Sequence, residues 1–163
     1  MPPVAPTISF LRNKYMLHKK KPSKVIYTAA FLDLSGKEGD RIKDLIFTMF
    51  NKDLPKKYFH HLTFVFKPTK KDISVTPFGK KVTLYVDGIA EDDRAQALRV
   101  YYSDQNIKSQ NKIPHITVAT DGTTQPKYSN ELLKLHTLPL SEAIAIPATI
   151  GWWNGKEPVY TAP

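Results

Sequence analysis

The sequence contains no cysteine, which excludes disulfide bridges and thiolate metal sites and leaves the redox compartment open. No stretch approaches the roughly 18 apolar residues of a membrane span, and no secretory leader is visible. The expected setting is therefore a cytoplasm, that of a cell or of an infected host. No carboxylate cluster and no HExxH spacing accompanies the histidines, so neither a metal nor any other cofactor is expected. Nothing repeats with a solenoid period. Acidic side chains are the scarcer sign, 15 against 24 Lys and Arg, for a net charge of +9. That balance favours polyanionic partners, because phosphates are held and steered by Lys and Arg. Charge alone does not decide the matter, since many basic domains bind neither nucleotide nor nucleic acid.

What is present suits one domain: 163 residues, 41% of them apolar, suffice for a core. Residues 1–24 are expected to form a basic N-terminal arm and residues 25–163 a single domain. In the arm, Arg12, Lys14 and Lys19-Lys20-Lys21 read either as a solvated leader or as a phosphate-attracting flap. Tyr15 there either packs or stacks on a base.

Val25 to Leu34 is a nearly continuous apolar run and predicts a central strand. Ser35-Gly36-Lys37 breaks it. Ile42, Leu45, Ile46, Met49 and Phe50 then recur at helical spacing, predicting an amphipathic helix from Asp40 to Asn51. Tyr58 to Phe66 reads as a strand, followed by a basic loop at Thr69-Lys70-Lys71. Val82 to Ala90 reads as another strand. Leu98, Val100 and Tyr102 alternate, so Ala95 to Tyr102 is expected to pair back as a hairpin, with a helix from Asp93 as the competitor. Ser103 to Lys112 is a polar loop, and Pro114 introduces a further strand. Ser129 is expected to N-cap a short helix to about His136, with Leu132, Leu133 and Leu135 inward. Ala143 to Trp153 predicts a last strand or a broken pair, and Val159-Tyr160-Thr161 an edge. The pattern is α+β: one or two mainly antiparallel sheets forming a cleft, with helices outside.

Two of these strands carry a His-x-Thr. In a strand, residues i and i+2 share one face. His61 and Thr63 therefore project together, with Leu62 and Phe64 opposite, and His115 and Thr117 repeat the arrangement against Ile116 and Val118. If the strands neighbour each other, two imidazoles and two hydroxyls converge. Histidine titrates near neutral pH, so one neutral and one protonated ring coexist readily as base and acid on a phosphodiester. Hydroxyls can donate to the nonbridging oxygens. A single His-x-Thr is common in ordinary strands; two copies in a basic chain of one domain are the signal.

Paired His-x-Thr strands are the signature of the 2H phosphoesterase superfamily, which this chain resembles at all four motif positions. Pro114 to Thr120 and the later Asn130-Glu131-Leu132 are similar to the second half of the cyclic phosphodiesterase domain of fungal and plant tRNA ligases. The strand Val82 to Val86 falls where that domain has one, and the resemblance spans roughly Val25 to Trp153. It implies a bilobal fold with a central cleft, and catalytic roles for His61, Thr63, His115 and Thr117. It leaves open which histidine is the base. The 54 positions from His61 to His115 are short for the superfamily, which implies trimmed loops. No ligase or kinase portion accompanies the motifs, as in stand-alone relatives from bacteria, phages and viruses.

Several further residues are candidates. Tyr27, Trp152, Trp153 and Lys80 are candidate substrate-binding residues; the aromatics read otherwise as core or lid, and only one tryptophan of the pair can face the cleft. Lys80-Lys81 and Lys70-Lys71 read also as solvated charge. His60 is expected on the opposite face with Leu62 and Phe64, and His18 and His136 on the surface. The expected function is hydrolysis of a ribose-linked phosphodiester, a 2′,3′-cyclic phosphate or 2′–5′ bond, in an RNA end or small nucleotide. One alternative is a phage or viral enzyme degrading cyclic di- or oligonucleotide messengers. Another is a nucleotide- or RNA-binding module without turnover. The partner is a nucleotide or RNA in each case and not a membrane; oligomeric state is not legible.

Overall fold

The computed structural model describes residues 24–104 and 106–163; the basic arm before Lys24, with Tyr15 and His18, lies outside the described residues. Among the described residues there are eight strands: β1 (Tyr27–Leu32), β2 (Lys56–Lys57), β3 (His61–Phe66), β4 (Lys81–Glu91), β5 (Ala95–Tyr102), β6 (His115–Thr120), β7 (Leu138–Trp153) and β8 (Pro158–Val159). The α-helices of the described residues are α1 (Gly36–Thr48), α2 (Lys70–Ser74) and α3 (Ser129–His136). The choice between one sheet and two resolves as one. Its order is β2-β6-β5-β4-β7-β1-β3, with β8 on β7, and every pairing is antiparallel.

The long strand β7 makes that continuity possible. It pairs with β4 from Leu138 to Thr149 and with β1 from Ala148 to Trp153, so it belongs to both halves of the sheet. Pro147 lies within it without interrupting it. In a strand, a residue's N–H and C=O point to the same side. The Pro147 carbonyl accepts from the Asp33 N–H, 2.9 Å, on the β1 side. The missing N–H therefore faces the end of β1, and the β4 ladder loses nothing.

The sheet curls until its ends meet. Tyr58 and Phe59, just before β3, donate their N–H groups to the carbonyls of Val118 and Thr117 in β6, at 2.8 and 3.0 Å, and β3 packs beside β6. Phe59 (φ 37) and Lys67 (φ 51) bend the chain at either end of β3. The polar loop after β5 runs along the outer edge of β3. The Gln110 N–H donates to Phe64 O, the Ser109 hydroxyl to Thr63 O, and the Phe66 N–H to Gln110 Oε1. That cover blunts what would be an open strand edge.

One face of the sheet buries Leu62, Phe64, Leu84, Val86, Leu98, Ile116, Val118 and Ile146 against Ile42 and Ile46 of α1. A smaller cluster packs Leu132 and Leu133 of α3 on Ala90, Ala95 and Ala97. Four expectations are corrected. The first helix starts at Gly36, not Asp40, because Ser35 has the extended backbone of an N-cap and Gly39 has no Cβ to strike the Leu34 backbone. Lys70-Lys71 lie in a helix rather than a loop: Thr69 and Asp72 form a reciprocal capping box. Leu135 is exposed, because the short helix turns only Leu132 and Leu133 inward. Ser129 is not an N-cap, since a 3-10 turn (Pro126–Tyr128) leads into α3 and its hydroxyl bonds elsewhere.

Candidate active site

The curl brings the two His-x-Thr strands together at one cleft. His61 opens β3 two residues after Phe59, whose amide is bonded to Thr117 of β6. His61, Thr63, His115 and Thr117 line a single cavity of ≈ 700 Å³, together with Tyr27, His60, Lys127, Asn130 and Trp153 among others. Alternation holds as expected. Leu62, Phe64, Ile116 and Val118 are buried in the core, on the side opposite the motif side chains.

The two imidazoles sit in different surroundings. His115 is buried, and its Nδ1 lies 2.8 Å from the Ile113 carbonyl. A carbonyl only accepts, so Nδ1 carries the proton and Nε2 is left for chemistry. Burial lowers the affinity of His115 for a second proton, and the carbonyl partly opposes that. The Nδ1 of His61 meets the Nδ1 of His60, and the two rings stack with centroids 4.4 Å apart. Burial, then the charges that His60 and His115 would carry, push His61 down to about 3. Both shifts favour the uncharged form of the motif rings at neutral pH.

The threonines differ too. Thr63 lines the cleft while its carbonyl accepts from Ser109. The Thr117 hydroxyl lies 2.8 Å from that of fully buried Ser129, and 3.4 Å from Pro126 O.

An aromatic wall closes one side. Tyr27 stacks on His61 (4.8 Å, 21°) and lies nearly parallel to Trp153 (6.1 Å, 5°). Burial raises the Tyr27 phenol to about 12, so it stays a neutral donor. The structure thus brings six of the eight candidates together. Trp152 and Lys80 are not among them. Trp152 faces away, buried, with its indole N–H donating to Thr161 O at 2.8 Å. Lys80 pairs with Asp104 at a separate concavity lined also by Asp33 and Thr149.

His60 corrects the sequence reading in the other direction. It stands at the cleft, not behind it, because the strand begins only at His61 and the positive φ of Phe59 removes the alternation that would have turned it away. The adjacent pair of histidines was the available signal; the bend was not legible. Ser129 was missed because its sequence setting is that of a helix cap. His136 is exposed in the last turn of α3, as expected. Among the described residues, no group of three or more His, Cys, Asp or Glu is disposed to hold a metal.

A family model, the fungal tRNA ligase phosphodiesterase domain, matches residues 38–145. That is well over half of the chain, and it takes in both His-x-Thr strands. The chain belongs to this family. It is a 2H phosphoesterase family, as the paired motifs implied. Tyr27 and Trp153 lie outside the matched segment of this phosphodiesterase domain, so the aromatic wall is built from strand ends that flank it. No curated protein matches the sequence.

Proposed function

We propose that the protein is a phosphodiesterase that hydrolyses a ribose-linked phosphodiester, the terminal 2′,3′-cyclic phosphate of an RNA or a 2′–5′ bond, without a metal. One observation carries this reading: two imidazoles from distant parts of the chain line one cleft, each with its threonine. The family match supports it at the level of phosphodiester hydrolysis.

The surroundings of the rings suggest their division of labour. Three influences keep His61 unprotonated, so it is the ring free to act as base: its Nε2 takes a proton from water as the water oxygen bonds to phosphorus. The Ile113 carbonyl supports a charged His115, which gives its Nε2 proton to the ribose oxygen as the P–O bond breaks. The bound phosphodiester carries the negative charge that raises the affinity of His115 for this proton. Thr63 and Thr117 donate to the nonbridging oxygens. The parallel faces of Tyr27 and Trp153 supply a platform for a base, worth roughly 1–3 kcal/mol. The chain's net charge of +9 attracts the polyanion.

The test is a turnover assay in EDTA offering 2′,3′-cyclic mononucleotides, 2′–5′ oligoadenylate, and cyclic di- and trinucleotides, with products resolved by mass and phosphate position. His61→Ala and His115→Ala are each expected to lose roughly 10²–10⁴-fold in kcat while still binding substrate. Undiminished turnover in either variant, or none in the wild type on any substrate, would overturn the reading.

A further inference from the structure

A third imidazole stands in the cleft that the paired motifs do not account for. His60 stacks on His61 at 4.4 Å, and the two Nδ1 atoms are hydrogen-bonded. Two neutral imidazoles can share such a bond only if one Nδ1 holds the proton and the other accepts. His60 is the more solvent-exposed ring, at the mouth of the cleft. His61 lies deeper, between His60 and Tyr27.

We infer that His60 is a positioning residue for this phosphodiesterase site: it accepts the Nδ1 proton of His61, which leaves His61 Nε2 as the basic nitrogen facing the phosphorus. The inference rests on the proposed hydrolysis and extends it. In the attack step, His61 Nε2 gains the water proton while the Nδ1 proton passes to His60 Nδ1. The positive charge then sits on the outer ring, the less buried of the two, rather than beside the proton-donating His115. When product leaves, the proton returns from His60 to His61 Nδ1, His61 Nε2 gives its own to solvent, and His115 Nε2 takes one up to replace the proton it gave the leaving oxygen. No atom or charge is left over. Tyr58, His115 and Lys127 line the same cavity as His60, and Tyr27 faces His61. None of these is a carboxylate, so no acidic side chain lining the cavity competes for the proton that His60 accepts.

Two substitutions separate this role from packing. His60→Phe keeps an aromatic ring against His61 and removes both nitrogens. His60→Asn offers a carboxamide oxygen near the Nδ1 position, able to accept the bond but not to take up the proton. The expected result is a fall in kcat of at least about tenfold for His60→Phe, part of what a positioned base contributes, with KM little changed. His60→Asn should recover the His61 tautomer without the full rate.

Nitrogen-15 shifts of the ring nitrogens, followed against pH in the free protein, read the tautomer without any substrate. In the wild type, His61 should be protonated at Nδ1 at neutral pH. In His60→Phe it should become a mixture of both tautomers. An unchanged tautomer, or wild-type kcat and pH profile in His60→Phe, would overturn the inference. If wild-type protein turned over none of the substrates, the nitrogen shifts would still decide whether His60 orients His61.

Discussion

Ser129 marks how far a single hydroxyl can be removed from a reacting atom and still matter to it. Thr117 has a single hydroxyl proton to give a phosphoryl oxygen, and the buried Ser129 hydroxyl at 2.8 Å is placed to donate to the Thr117 oxygen and leave that proton free. Without it, Thr117 retains only the long 3.4 Å approach to Pro126 O. Ser129→Ala is therefore expected to reduce kcat by a few-fold, up to about tenfold, consistent with a lost bond of roughly 0.5–1.5 kcal/mol. Stability should fall by a similar amount, measured by urea unfolding. Thr117→Ser should retain most of the rate, because it keeps the hydroxyl and its partner. The same scale explains why Trp152 and Trp153 part company. Neighbours on one strand point opposite ways, so one joins the cleft and the other is buried against the terminal segment, where its N–H has a carbonyl partner.

Among the elements, α1 depends on close backbone approach at its first turn. A Cβ at Gly39 would stand 2.2 Å from the Leu34 carbonyl carbon and oxygen. No side-chain rotation relieves that, because the obstacle is main chain. Gly39→Ala should destabilise the protein by about 1–3 kcal/mol or more, as overpacking does, seen as a lower urea midpoint. Gly36 is a control with open space around it but a positive φ of 68°. Its alanine variant should cost only about 1–2 kcal/mol, from backbone strain alone. The loop between α1 and β2 is fixed from across the sheet: the Glu91 carboxylate accepts the N–H groups of Asn51 and Lys52 at 2.9 and 3.0 Å. The buried Gln96 carboxamide donates to Lys52 O and to the same carboxylate. That anchoring sets where the chain enters the Tyr58–Phe59 bend, and hence where His61 emerges.

For the molecule as a whole, three imidazoles held below their usual proton affinity make stability depend on pH. An unfolded histidine titrates near about 6.5, whereas folded His61 does so at about 3. Below pH 6.5 the unfolded chain binds a proton that the folded chain refuses, so stability is complete above that pH and declines as pH falls toward 3. Each such proton contributes at most about 1.4 kcal/mol per pH unit. The carboxylates whose affinity is lowered, Asp72, Asp92, Asp104 and Asp121 among them, act lower, below about pH 4. The interval from pH 6.5 to 4 therefore belongs to the histidines. Urea unfolding at pH 7, 6, 5 and 4 should show the decline, and His61→Gln should flatten it. A wild-type midpoint constant across that interval would contradict the burial of these rings.

Period-two alternation was enough to identify the motif faces, because Leu62, Phe64, Ile116 and Val118 must leave water whatever lies across from them. The hairpin of β4 and β5, the polar loop, and the pairing of imidazole with hydroxyl on each strand are local consequences of side-chain spacing and turn chemistry. What alternation cannot reach is any position where a bend precedes the strand, and His60 entered the cleft on the φ of Phe59. Nor can a run of residues reveal which strands become neighbours. The meeting of β3 and β6, the burial that holds His61 uncharged, the bond from Ser129 to Thr117 and the removal of Lys80 to another surface all depend on the curl of one continuous sheet. That curl is set by long-range pairing along β7 and by the amides of Tyr58 and Phe59 reaching β6, contacts between residues far apart in the chain.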